Sequence, residues 1–145
     1  MPQLTIFAAC DKVLINEEDQ SVSLIQLLDT IGVHVPKGTD FSADMLLPGE
    51  WYLFAFWHKT PDDDGRQFEE RFTLILPDGE EREIGVLALN LSKSRHRGHV
   101  RVSGFPISQQ GRYTTKVYLR ETTHENENWE EKAFFFINVA HRLID

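Results

Sequence analysis

The ten residues Gly111-Arg112-Tyr113-Thr114-Thr115-Lys116-Val117-Tyr118-Leu119-Arg120 constrain this chain more than any other stretch. Tyr113, Thr115, Val117 and Leu119 fall on one face, and Arg112, Thr114, Lys116, Tyr118 and Arg120 on the other. A period of two with one apolar row predicts a half-buried antiparallel strand. Gly111 stands two residues before Tyr113 and follows a polar turn, the form taken by the tyrosine corner of many Greek-key sandwiches. There the phenol bonds to upstream backbone and closes the connection from the preceding strand, so Gly111 and Tyr113 are expected to be structural, with Tyr113 buried.

The rest of the chain carries the same signature. Strand formers recur in short runs separated by turn residues, as in a sandwich or barrel. Leu4 to Asn16 and the polar turn Asn16-Glu17-Glu18-Asp19-Gln20 predict a first hairpin. Its second arm, Val22 to Val35, fits a strand, while Leu24, Leu27, Leu28 and Ile31 also fit a helical face stopped at Gly32. Pro36 to Pro48 reads as a connection with a short strand or turn around Phe41. Trp51 to Lys59 is apolar on both faces, which predicts a central strand. Asp62-Asp63-Asp64-Gly65 turns into Phe68 to Leu76, where Phe68, Phe72, Leu74 and Leu76 face in. Asp78-Gly79 marks the next tight turn. Ile84 to Leu91 follows as a strand, then a basic connection over Lys93 to His99 and a short strand from Val100 to Phe105. After the Gly111 strand, Glu121 to Glu131 reads as an acidic loop and Ala133 to Val139 as the last strand. About eight strands result, in one domain spanning residues 1–145 with no linker or repeat.

Composition narrows the setting. A chain of 145 residues can bury a core without staples, and its single cysteine, Cys10, forms no internal disulfide, so a reducing cytoplasm is the expected compartment. Met1 to Thr5 shows no basic leader, and no apolar run approaches the roughly 20 residues of a membrane span, so neither export nor membrane insertion is expected. A net charge of -8 disfavours nucleic acid as a general partner.

Phe7-Ala8-Ala9-Cys10-Asp11-Lys12-Val13-Leu14, Ser21-Val22-Ser23-Leu24-Ile25, Asp29-Thr30-Ile31, Leu76-Pro77-Asp78-Gly79, Gly104-Phe105-Pro106-Ile107 and Gly111-Arg112-Tyr113 together resemble a family of small uncharacterised bacterial proteins with an immunoglobulin-like β-sandwich. The resemblance covers most of the chain and rests on turn and core residues. It implies an all-β, antiparallel Greek-key sandwich and supports a strand over Val22 to Val35. It brings no catalytic residue or activity with it.

Two places could carry a binding function. Lys93, Arg95, His96, Arg97, His99 and Arg101 put four or more cations on one stretch of an acidic chain, suited to an anion or an acidic partner segment; a solvated loop that balances the domain's own carboxylates is the plain alternative. Tyr52, Phe54 and Phe56 form an aromatic row that an outer sheet face would expose as an interface or a sugar platform, where core packing is the plain alternative. His96 and His99 lack a third metal ligand, and the acidic turn at Asp62 to Glu70 lacks the spacing of a calcium loop, so no metal or cofactor is expected. No phosphate loop, nucleophile elbow or zinc-helix motif is present. The expected protein is therefore non-enzymatic: an interaction or assembly module that binds a protein partner or itself as a homo-oligomer, with a small-ligand or carbohydrate-binding module as the alternative.

Overall fold

The structure, a computed structural model, describes residues 1–124 and 128–145. Among the described residues nine strands form two sheets packed face to face: β1 (Gln3–Ile15), β2 (Val22–Leu27), β3 (Thr30–Pro36), β4 (Leu46–His58), β5 (Phe68–Ile75), β6 (Glu81–Ala88), β7 (Arg95–Pro106), β8 (Gly111–Glu121) and β9 (Glu130–Ile144). One sheet has the order β2-β1-β4-β7 and the other β3-β9-β8-β5-β6. The fold is all-β. Of the acidic loop expected at Glu121 to Glu131, residues 125–127 lie outside the described residues.

Alternation decides which side chains meet between the sheets. Ala9, Leu53, Ala55 and Trp57 of the first sheet pack against Phe68, Phe72, Val117, Leu119 and Ile137 of the second. Tyr113 is fully buried and its hydroxyl donates to the Gln109 carbonyl at 2.9 Å, while its ring lies 5.1 Å from Phe105, which is 5.2 Å from Trp51. Gly111 sits at φ +130°, where a side chain is strained. Tyr113→Phe should leave the Gln109 carbonyl without its donor and cost about 1 kcal/mol in a urea titration; an unchanged midpoint would show that the bond contributes nothing net.

Three expectations need correction. The segment Val22 to Val35 is not one strand but two: Leu28 and Asp29 carry the chain from β2 in one sheet to β3 in the other. The sandwich is mixed and not wholly antiparallel, because β3 pairs with β9 in parallel, from Thr30 opposite Asn138 to Pro36 opposite Ile144. The basic stretch is not a loop: Arg95, His96, Arg97, His99 and Arg101 all lie within β7, and only Lys93 of the six precedes it. Lone charges spaced through Gly98, Val100 and Val102 fit a strand with one wet side as well as a loop, and pairing with β4 decides between them.

Candidate binding face

Strands β4 and β7 bring the two candidate sets together. Tyr52 stands opposite Arg101, Phe54 opposite His99, Phe56 opposite Arg97 and His58 opposite Arg95. Directly opposed residues share a face, and these four pairs point away from the sandwich core, since Leu53, Ala55 and Trp57 between them belong to it. The outer face of this sheet is thus an aromatic row laid against a cationic row. His96 lies off that face: it stands opposite Trp57, its Nδ1 accepts the Asn90 amide at 3.2 Å, and burial lowers its pKa below the usual histidine value. Because His96 and His99 project from opposite sides of one strand, they do not converge on a common ion.

The two outer faces treat similar residues differently. On the β8-β5 face, Arg71 pairs with Glu83 at 3.1 Å, Lys116 with Glu131 and Arg120 with Glu69, and the guanidinium of Arg71 also lies over Tyr118. On the β4-β7 face, Arg101 has only a loose pair with Glu50 at 3.8 Å, and among the described residues Lys93, Arg95 and Arg97 form no ion pair. One face satisfies its own charges; the other leaves them available.

The β1-β2 hairpin roofs part of this available face. β1 pairs with β4 from Gln3 to Cys10 and with β2 from Cys10 to Ile15, so beyond Cys10 it leaves β4. Asp19 and Gln20 at the hairpin tip line a cavity together with Arg95 and Arg97 on the far strand β7, and Ile15 and Gln20 line a second cavity with Lys93, Arg95, His96 and Arg97. Crossing from β1 to β7 takes two inter-strand steps, about 10 Å, within reach of a six-residue arm of about 20 Å. Under the roof, Ala8, Cys10 and Phe54 are buried although they face away from the main core, with Phe54 only 2% exposed. Phe54 is therefore closed to a partner, and Tyr52 and Phe56 keep accessible surface. Burial pushes the Cys10 thiol up to about 11, with the Asp11 charge adding to it, which keeps it protonated and unreactive.

The acidic turn is dispersed. Asp63 is buried and its Oδ2 accepts the Thr60 amide at 2.7 Å and the Thr60 hydroxyl at 2.8 Å, Glu69 pairs with Arg120, and Glu70 points into the core. Among the described residues no three His, Cys, Asp or Glu side chains are placed to share a metal ion.

Glu70 escaped the reading of the sequence. Its Oε2 accepts the indole N–H of Trp57, its Oε1 has no partner, and burial pushes its pKa up to about 7. The signal was present, since residues 68, 70, 72 and 74 are one alternating row and Glu70 occupies the inward position between Phe68 and Phe72. Gly98, on β7, leaves the space: a Cβ there would overlap the Glu70 carboxylate oxygen and stand 2.9 Å from its Cδ.

No protein-family model and no curated protein matches the chain. Among the described residues no helix is long and apolar enough to cross a membrane.

Proposed function

We propose that the protein is a non-enzymatic binding module that docks an acidic segment of a protein partner along β7. The observation that carries this reading is the basic row on a terminal strand, where among the described residues Arg95 and Arg97 form no ion pair and Arg101 has only the loose one with Glu50. Among the described residues β7 pairs only with β4, so its other edge can accept an added strand, with main-chain bonds for affinity and side-chain charge for selection. An acidic partner strand would meet Arg97, His99 and Arg101, whereas a second copy paired β7 to β7 would set those cations against themselves. The Tyr113 corner and the β2-to-β3 change of sheet support reading the sandwich as Greek-key and immunoglobulin-like, and a lone buried Cys10 supports a reducing compartment such as a cytoplasm.

A labelled peptide of alternating glutamate and valine tests the docking by fluorescence anisotropy. Binding should weaken as salt rises and fall at least tenfold in the His99→Glu/Arg101→Glu variant. A lysine–valine peptide that binds the unmodified protein equally well would sink the proposal.

Self-association is the second reading, and a separate observation favours it: the outward side of the hairpin exposes Leu14, Ile25 and Leu27, the last at 57%.

A further inference from the structure

We infer that the cavity under the β1-β2 hairpin is a binding site for a small apolar carboxylate, an anion with an aliphatic or aryl body. The cavity measures about 350 Å³ and is bounded by Ile6 and Phe54 below, Phe56 beside them, Leu24 above, and Arg95 and Arg97 at one side. That size lies at the lower end of small-molecule sites, which are commonly ~300–1,000 Å³.

The lining divides into two chemistries. The aromatic and aliphatic residues offer a body-binding surface with no hydrogen-bonding demand of its own. Arg95 and Arg97 offer forked donors that form no ion pair among the described residues, and a carboxylate matches a guanidinium through two parallel bonds. Phe56 stands opposite Arg97 across the β4-β7 ladder, so the apolar wall and one cation are adjacent by register. Asp19, the one carboxylate in the lining among the described residues, is turned into its own loop, where its Oδ1 accepts the Ser21 amide at 2.9 Å. Gln20 and Ser21 complete the rim with neutral polar groups.

A hairpin laid on the face for packing alone would close over Phe54 and Phe56 together. It buries Phe54 and leaves Phe56 partly open beside Arg95 and Arg97, which form no ion pair among the described residues, so the space has the composition of a site for an amphipathic anion. The inference goes beyond the docking of a protein segment on β7: it concerns a free small molecule, and its test changes neither His99 nor Arg101.

Isothermal titration with sodium octanoate, sodium acetate and 1-octanol separates the two halves of the site. Octanoate should bind saturably with one molecule per chain, and acetate and octanol at least tenfold more weakly. Arg95→Gln/Arg97→Gln should lower octanoate affinity at least tenfold while its melting temperature without ligand stays that of the unmodified protein, as expected for two cations without ion-pair partners. Octanol binding as tightly as octanoate, or octanoate binding the double variant undiminished, would overturn the assignment. The octanoate–octanol comparison on the unmodified protein decides the matter even if the variant folds poorly.

Discussion

Gly98→Ala should destabilise the protein by about 3 kcal/mol, or roughly 10 °C in melting temperature for a domain of this size. The added methyl would occupy the place of the Glu70 carboxylate oxygen. Glu70 has nowhere easy to go, because it is fully buried between the sheets and its other oxygen holds the Trp57 indole. Moving the carboxyl away gives up that hydrogen bond and forces the surrounding side chains from their positions. The effect should be specific to the pair. In a Glu70→Ala background the same methyl enters vacated space, so the double-mutant cycle should show a favourable coupling of about 1.5 kcal/mol or more. Strict additivity of the two losses in urea denaturation would mean that Gly98 is needed for some other reason.

The second large effect is a dependence of stability on pH that centres on Glu70. Its folded pKa, raised to about 7 mainly by burial and opposed only in part by the Trp57 N–H, lies above the ordinary glutamate value of 4.5. Between those values the native state holds a proton that the unfolded chain has lost, so stability falls as pH rises through this window and levels off above about 7. Below 4.5 both states are protonated and this contribution is complete. The shift corresponds to a loss on the order of 3 kcal/mol between pH 5 and pH 8. Glu70→Gln removes the titration. Its amide oxygen can still accept from Trp57, and the variant should be about 1–3 kcal/mol more stable than the unmodified protein at pH 8, with little difference at pH 5. Denaturation midpoints that run parallel for the two proteins from pH 5 to pH 8 would contradict the assignment of this pH dependence to Glu70.

A group that weakens the fold at neutral pH sits beside the strand that carries the binding face. Gly98 of β7 lies against Glu70's carboxyl and stands between Arg97 and His99. The interior and the exterior of β7 therefore place separate demands on adjacent positions. Small size is required inward at residue 98, and basic side chains are displayed outward at 97, 99 and 101.

The binding face was legible in pieces. The aromatic row Tyr52-Phe54-Phe56 and the basic residues at 93, 95, 97, 99 and 101 could each be found from composition and alternation. Their union could not, because residues 52 and 101 are neighbours only through the antiparallel register of β4 and β7. His96 joined the cationic set on charge alone and left it on parity, once β7 was a strand and odd and even positions faced opposite ways. The roof over Phe54 had no local signal at all. Its cause is the change of partner at Cys10, where β1 passes from β4 to β2, and that depends on how the sheets twist and where β4 runs.

What the amino-acid sequence determined by itself is the local order: an acidic composition rich in strand formers, short strands of period two, and the Gly111-to-Arg120 strand with Tyr113 on its buried row. Alternation is a property of neighbouring residues, and hydrophobic burial makes it decisive. What only the tertiary structure decided is pairing: the parallel β3-β9 edge, residues 95–99 as the first part of β7 and not a connection, the cavity under the hairpin, and a carboxyl group inside the core. Each of these joins residues tens of positions apart, and the loop-closure and packing energies that choose among such pairings belong to the whole sandwich and to no single segment.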